Sequence, residues 1–413
     1  MTQAAGGLPR AFWWLWAATL INRIGGFIVI YLSIYLLVIR DFPPFFVGLV
    51  VGLYGAGSAV GGLAGGVLAD RWGSRTTMVR ANLAATGVAV VLGLVTHGTA
   101  IAVLAGVLGC LTNTTRPASA AMIADVVPER DRMRAFSLNF WAVNLGFSGA
   151  ALLGGALAGF EPRLLFFLDA ATTLAAALMV WRLPESRPTA GPAGSRESAE
   201  RSGGLGEVLR DGVFLMLVVT GLLTWMIIET LSMLPVAMRS DGISISSFGT
   251  VVAINGIMIV LGQLFVPRLV GNRDPSRVLV LAALLVGTGF GLVSLADQVW
   301  MYGFTVAVWT AGEMLMTPTN ATLTNELAPA RVRGRYNGVS ALGFALASFS
   351  APVLAGITVQ GIGERALWIG CFALGLAVAG IHLAARPARL RRAAALRAAH
   401  DAAATPQARS VRP

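Results

Sequence analysis

Residues 117–134, PASAAMIADVVPERDRMR, return 201 positions later as residues 318–335, PTNATLTNELAPARVRGR. Pro117 aligns with Pro318 without a gap, and Asp125 aligns with Glu326. The arginines at 130, 132 and 134 align with those at 331, 333 and 335, and the glycines at 48, 55 and 61 align with those at 249, 256 and 262. Because the similarity recurs at half the chain length, the sequence predicts two copies of one fold unit.

The composition is typical of a membrane protein. Of 413 residues, 56% are hydrophobic and only 12% are charged, whereas a soluble domain carries about 25% charged residues. Apolar stretches of about 20 residues recur along the chain, long enough to cross about 30 Å of hydrocarbon as helices. We therefore predict an all-α integral membrane protein whose partner is the lipid bilayer. Its twelve transmembrane helices are expected at about residues 11–39, 46–69, 77–97, 99–127, 135–160, 163–182, 211–239, 246–270, 277–296, 298–327, 335–358 and 365–385.

The predicted helices fall into two groups of six. Between them, residues 184–206 read PESRPTAGPAGSRESAERSGGLG, and this mixture of glycine, proline, serine and charge is typical of a flexible linker. We predict two pseudo-symmetric six-helix bundles at 1–183 and 210–385, a cytoplasmic linker at 184–209 and a basic cytoplasmic tail at 386–413. Paired bundles of this kind are typical of transporters that bind their substrate between the two halves.

The net charge of +11 comes from 31 basic residues, all of them arginine. If the N-terminus is cytoplasmic, 25 arginines fall on cytoplasmic segments, four on outer loops and two inside predicted helices. This is the asymmetry by which positive loops remain on the cytoplasmic side. We therefore expect both termini in the cytoplasm and the chain in the inner cell membrane. The basic charge sets topology and requires no nucleic-acid partner.

Residues 66–75, GVLADRWGSR, lie between the second and third predicted helices. They resemble the loop signature of the major facilitator superfamily, G-x-L-a-D-r-x-G-r-[kr], with a departure at Ser74. The resemblance implies that this loop acts as a cytoplasmic latch that holds an outward-open state. It assigns the latch to Gly66, Asp70, Arg71, Gly73, Arg75 and, near the inner end of helix 4, Asp125. Gly66 is expected to allow close helix approach and Gly73 a tight turn.

Residues 144–155, NLGFSGAALLGG, resemble the helix-5 signature of proton-coupled antiporters in the same superfamily. The small-residue pattern survives in Gly146, Gly154 and Gly155, beside Asn144, while the proline of the signature is found only in the symmetric helix 11, as Pro352. Such spacing lets helices pack closely and slide. The resemblance favours the efflux branch. Gly106 stands where many exporters of this branch carry an arginine, which argues against coupling through that residue.

Four charged residues lie inside predicted helices: Arg23, Arg116, Glu229 and Glu313. Each costs at least about 2.5 kcal/mol at bilayer depth, which favours a functional role. The resemblance implies that their helices, 1, 4, 7 and 10, line a central cavity. Two interpretations stay open, substrate or proton binding and structural ion pairs across the cavity. Further candidates for the substrate or proton site are Asn22, Asn113, Tyr31 and Trp225, while Asp169 is expected to make a structural hydrogen bond.

The sequence therefore indicates a monomeric secondary active transporter that works by alternating access. We predict proton-coupled efflux of small amphiphilic or drug-like compounds, with a small molecule and protons as its ligands. A proton-coupled importer of small solutes or peptides and, less favoured, a non-transporting sensor remain as alternatives. An enzyme is disfavoured, because the chain has three histidines and no metal-binding cluster, G-x-S-x-G or phosphate-binding loop. We expect no cofactor and no metal.

Overall fold

The computed structural model describes residues 7–158, 161–185, 205–263, 265–271, 273–329 and 332–409, and within these ranges it contains helices and connections but no strand. The described residues form twelve long helices. A short helix at Leu205–Arg210 precedes the seventh, and another at Val266–Val270 follows the eighth. The long helices are α1 (Arg10–Ile39), α2 (Pro44–Trp72), α3 (Ser74–Leu94), α4 (Gly98–Val126), α5 (Arg132–Ala158), α6 (Leu164–Trp181), α7 (Gly212–Ser240), α8 (Ile245–Gly262), α9 (Pro275–Leu295), α10 (Val299–Leu327), α11 (Arg333–Gly361) and α12 (Glu364–Arg409).

The helix boundaries repeat with the spacing seen in the sequence. Helix α4 runs from residue 98 to 126 and α10 from 299 to 327, so both ends are shifted by 201 residues. The same shift relates the first residues of α3 and α9, and those of α5 and α11. The prediction of two copies of one six-helix unit is therefore confirmed.

Eleven helices in the described part of the chain are long and apolar enough to cross a membrane. Helix α10 is not among them, although it is 29 residues long, the same length as its symmetric partner α4. Its polar side chains, which include Glu313 at its centre, lower its hydropathy. A helix of that length is about 43 Å long, more than the hydrocarbon core requires. The protein is a multi-pass membrane protein with the all-α fold that the sequence predicted.

The bundle has two ends, which we name by their connections. The linker side carries the α2–α3 and α4–α5 connections and residues 182–185 and 205–211, and the far side carries the α1–α2 and α3–α4 connections. Most of the predicted linker, residues 186–204, lies outside the described residues. The halves meet at the far side, where Arg239 Nη1 donates a hydrogen bond to the Leu37 carbonyl at 3.0 Å. Nearby, the Phe45 amide donates to Gln360 Oε1 at 3.2 Å.

Glycines bring the two halves into backbone contact near the far side. A Cβ atom at Gly48 in α2 would overlap the carbonyl oxygen of Pro352 in α11. A Cβ atom at Gly249 in α8 would overlap the carbonyl oxygen of Ala151 in α5. Gly249 and Pro352 are the residues 201 positions after Gly48 and Ala151, so the α2–α11 and α5–α8 contacts are two copies of one interface.

Helix α12 continues beyond residue 386, where the basic tail was expected to begin. Its arginines bind the linker-side ends of neighbouring helices: Arg386 Nε donates to the Asp274 carboxylate, and Arg392 Nη2 donates to Asp211 Oδ2 at 3.4 Å. Burial opposes ionisation of Asp274, but the hydrogen bond with Arg386, those from the Ser276 and Arg277 amides and the charge of Arg386 together outweigh this and hold the pKa of that carboxyl below its usual value. The first turns of the tail are therefore part of the C-terminal bundle.

We expect Gly48→Leu to destabilise the protein by about 1–3 kcal/mol, because the added side chain has to separate α2 from α11. Thermal unfolding of the purified protein measures the loss. Gly62→Leu is the matched control in the same helix, since a Cβ atom there would meet no atom within 4 Å. Equal unfolding temperatures for the two variants would contradict this account of the interface.

Candidate functional site

A cavity of about 450 Å³ lies inside the N-terminal half, toward the linker side. All of its lining residues belong to α1, α3, α4, α5 and α6. Four of the eight predicted substrate or proton residues line it: Asn22, Arg23, Asn113 and Arg116. The other four predicted substrate or proton residues, Tyr31, Trp225, Glu229 and Glu313, are not part of its lining.

Arg23 is held in the wall of this cavity by a break in α1. The α-helix stops at Ile24 and restarts at Phe27, and the Gly26 amide donates to the Arg23 carbonyl at 3.2 Å. Helix α5 packs directly behind Arg23, because a Cβ atom at Gly146 would overlap the Cβ of Arg23. The glycine predicted as a packing residue therefore sets the position of the arginine.

Asp169 in α6 caps the restarted segment of α1. Its Oδ2 accepts a hydrogen bond from the Ile28 amide at 3.0 Å, and its Oδ1 accepts from Thr173 Oγ1 at 3.4 Å. Asn22 Nδ2 in turn donates to Thr173 Oγ1 at 3.1 Å. Asp169 thus makes the structural hydrogen bond expected of it, and it satisfies an amide that the helix break leaves without a partner. The break itself was missed, although the Gly25-Gly26 pair was a signal for it.

The side chains of Arg23 and Arg116 form no hydrogen bond or ion pair with another residue in the described part of the chain. Arg23 is half-buried, whereas Arg116 is exposed to the cavity. They are close enough for their charges to repel, and Arg23 also feels the charge of Asp169. The ion pairs considered between the two halves are not found among the described residues, since the hydrogen-bond partners of Glu229 and Glu313 are neutral.

Glu229 and Glu313 lie in the C-terminal half. Glu229 Oε1 accepts a hydrogen bond from Ser348 Oγ in α11 at 2.8 Å. Glu313 Oε2 accepts one from Asn255 Nδ2 in α8 at 2.9 Å. Each carboxylate is half-buried, and the charge of Glu229 reaches Glu313. The two acids therefore form a pair that is held by polar but uncharged groups.

Tyr31 and Trp225 pack between helices and do not face the cavity. The Tyr31 hydroxyl donates to the Ala151 carbonyl at 2.5 Å, and its ring meets Phe248 edge-on at 5.8 Å between centroids. Trp225 meets Phe344 in the same way at 4.8 Å. Both side chains were expected to line the substrate cavity. In this structure they lie against residues of neighbouring helices instead.

The residues of the predicted latch lie at the linker side without mutual contacts. Gly73 adopts a φ of 84°, which favours glycine, and it alone separates α2 from α3. The close approach expected at Gly66 is not found, since a Cβ atom there would meet open space. Three charged members are exposed, and the fourth, Arg75, is half-buried. No hydrogen bond or ion pair within the described ranges involves the side chains of Asp70, Arg71, Arg75 or Asp125.

The predicted packing residues of α5 and α11 lie at close helix contacts. A Cβ atom at Gly154 would overlap the ring of Tyr31, and one at Gly155 would come within 2.9 Å of the Ser246 carbonyl oxygen. Asn144 belongs to the cavity wall, where its Nδ2 donates to the Phe140 carbonyl at 2.9 Å. Pro352 is buried and packs against α2 through Gly48.

We expect Asp169→Ala to lower the free energy of unfolding by about 1–3 kcal/mol, because the buried Ile28 amide loses its acceptor. Asp169→Asn retains a side-chain oxygen and should lose less. Thermal unfolding of both variants checks this order. Equal losses for the two substitutions would mean that Asp169 does not act as the cap of α1.

The sequence matches a family model over most of its length. The model of the Major Facilitator Superfamily matches residues 15–352 and 230–411. The Na(+), Li(+), K(+)/H(+) antiporter of Planococcus maritimus is 27% identical over 361 residues, which cover 77% of this chain and 82% of that protein. The multidrug resistance protein MdtH of Aeromonas hydrophila subsp. hydrophila is 28% identical over 364 residues, 86% of this chain and 88% of the relative.

Solved transporter structures share the fold at low sequence identity. The nucleoside transporter NupG superposes with a TM-score of 0.78 at 14% identity and covers 91% of this chain and 99% of its own. The peptide transporter POT in complex with sulfate has a TM-score of 0.78 at 17% identity, with 94% and 97% coverage. With the paired six-helix bundles and the family match across their length, this chain belongs to the major facilitator superfamily, and it is a membrane transporter and not an enzyme.

Proposed function

We propose that the protein is a proton-coupled exporter of small amphiphilic compounds, working by alternating access as a monomer of the inner membrane with both termini in the cytoplasm. The observation that carries the proposal is the pair Glu229 and Glu313, placed at membrane depth without a basic partner among the described residues. A carboxylate at that depth is costly when ionised and is stabilised by taking up a proton.

The partners of the two acids suit either protonation state. The Ser348 hydroxyl donates to ionised Glu229 and can accept a hydrogen bond when that carboxyl is protonated. Asn255 donates to Oε2 of Glu313, which leaves Oε1 free to carry a proton. The hydrogen bonds that the Ser348 hydroxyl and the Asn255 amide make with the two acids can therefore form in either protonation state. An arginine partner would instead favour the charged form alone.

The contacts between the halves support alternating access from an inward-facing state. The halves touch through Gly48 and Gly249 at the far side, while the cavity reaches toward the linker side, which we assign to the cytoplasm. In this state the side chains of the charged latch residues form no hydrogen bond or ion pair with one another in the described structure. If the latch holds the outward-open state, as the family motif implies, separation of Asp70 from its partners is what an inward-facing state requires.

The direction of transport is argued from the relatives and the α5 signature. MdtH of Aeromonas hydrophila is named a multidrug resistance protein, and the relative from Planococcus maritimus is named an antiporter of alkali cations and protons. The packing residues of the antiporter-like signature, Gly146, Gly154 and Gly155, sit at the contacts of α5 with α1 and α8. Export against proton entry is the function that fits these features together.

We expect Glu229→Gln and Glu313→Gln each to reduce pH-gradient-driven transport in proteoliposomes to the level of empty liposomes, because a permanently neutral side chain cannot carry the proton. Substrate counterflow, which needs no net proton movement, should remain. Glu161→Gln, in the exposed α5–α6 connection, is the matched control. Proton-driven flux in both Glu229→Gln and Glu313→Gln would refute the coupling assignment, and absence of counterflow in the unmodified protein would favour a sensor.

We expect Asp70→Asn to slow transport cycling without altering which compounds are carried, because the latch acts on the conformational equilibrium and lies outside the cavity. Transport rates for a panel of substrates, compared with Asp297→Asn at the far side, measure this. A changed order of preference among the substrates would contradict the latch role.

A further inference from the structure

We propose that the cavity of the N-terminal half binds an anionic group, so that the transported compound is an amphiphilic organic anion. The inference rests on the proposed function, since it names the substrate class of the same transporter. It is carried by the side chains of the cavity wall, which combine two arginines with many neutral polar groups. The wall contains no carboxylate.

The two arginines make the cavity positive. Arg23 and Arg116 face the same space, and their charges repel each other. Arginine stays charged under all physiological conditions, so neither group can relieve this repulsion by losing a proton. The acid within range of Arg23 is Asp169, which already accepts from the Ile28 amide and from Thr173. An anion between the two guanidinium groups would neutralise the remaining charge.

The guanidinium groups are also available as donors. Neither donates a hydrogen bond within the described residues, and the exposed Arg116 can be reached from the linker side. Arginine presents five N–H donors in a fork that matches carboxylate, sulfonate and phosphate oxygens. The wall therefore offers donors of the kind that bind an oxyanion.

Neutral polar groups complete the wall. Besides Asn22 and Asn113, the cavity is lined by Asn82, Asn139 and Asn144. In the described structure, Asn139 Oδ1 and Ser119 Oγ are buried and have no hydrogen-bond partner, although both residues line the cavity. Buried polar atoms without partners are rare in folded proteins and are expected to find one in a ligand or in water.

Part of the apolar lining lies closer to the linker side than the arginines do. Met78 and Phe136 are about one turn from the linker-side ends of α3 and α5, whereas Arg23 and Arg116 are roughly three turns from the linker-side ends of α1 and α4. The volume of about 450 Å³ is that of a small-molecule site. A ligand with an acidic head and an apolar body fits this order, with its head at the arginines.

The test measures binding of three probes that share a naphthalene ring: 1-naphthalenesulfonate, 1-naphthylmethylammonium and neutral 1-naphthalenemethanol. The purified protein is held in phosphatidylcholine nanodiscs, which carry no net charge, and titrated by calorimetry. The sulfonate is expected to bind more tightly than the other two probes. Arg23→Gln and Arg116→Gln should each raise the Kd for the sulfonate by about tenfold or more, and Arg116→Lys should weaken binding less.

Two further variants separate binding from folding. Arg163→Gln removes an exposed arginine of the α5–α6 connection and should leave the Kd unchanged. Ala120→Phe fills the cavity while keeping both arginines and should also abolish binding of the sulfonate, so the result does not depend on arginine substitutions that unfold the protein. The inference is wrong if the cation or the alcohol binds as tightly as the sulfonate, or if the Arg→Gln variants or Ala120→Phe bind it unchanged.

The outcome is distinguishable from failure of the proposed function. If the sulfonate does not bind but Glu313→Gln abolishes proton-driven flux of another compound, the proton-coupled transporter stands and the anion site is refuted. If the sulfonate binds through Arg23 and Arg116 but both glutamate variants keep proton-driven flux, the anion site stands and the coupling assignment is refuted.

Discussion

The fold depends on backbone contact between helices of opposite halves. At Gly48 and Gly249 the neighbouring carbonyl oxygens, those of Pro352 and Ala151, occupy the space that a Cβ atom would need. In a bilayer, lipid tails remove the hydrophobic drive for helix association, so close packing of this kind supplies much of the attraction. Backbone surfaces with no protruding side chains are also those that can separate and return. The same contacts therefore hold the halves together at one end and, in the proposed alternating-access cycle, are those that would have to separate there.

The close contacts explain why so much of the molecule is duplicated. An interface made of glycine and carbonyl groups leaves no room for substitution, so both copies keep it at positions related by 201 residues. Most connections of the helices that carry it, α2, α5, α8 and α11, are short, although a short helix at Val266–Val270 lies between α8 and α9. Similar close contacts occur inside each half, where a Cβ atom at Gly61 would overlap the Cys110 carbonyl oxygen, but the charged residues of the interior differ between the two copies.

The sequence predicted the elements that depend on local pattern. The lengths of the apolar stretches predicted the transmembrane helices, and the repeat predicted which helices of the two halves correspond. The loop motif predicted the turn at Gly73. The faces of the helices could not be predicted, because one residue turns a helix face by about 100°. Thus Gly65 packs on the carbonyl of Thr114 while Gly66 faces open space, and Tyr31 faces α5 and α8. The Asp169 cap joins residues 141 positions apart, and no local pattern could reveal its partner.

The fold does not require the charged residues of the interior, because uncharged residues occupy the symmetric positions in the other half. Arg23 has its symmetric counterpart in Thr224, whose hydroxyl donates to the Thr220 carbonyl of its own helix at 2.8 Å. Glu313 has its counterpart in Thr112, which donates to the Leu108 carbonyl at 2.8 Å. A threonine at these positions thus satisfies itself, whereas each charge costs at least about 2.5 kcal/mol at bilayer depth. Packing does not require that cost. The segregation of arginines into one half and glutamates into the other therefore points to ligands of opposite charge as the reason for both.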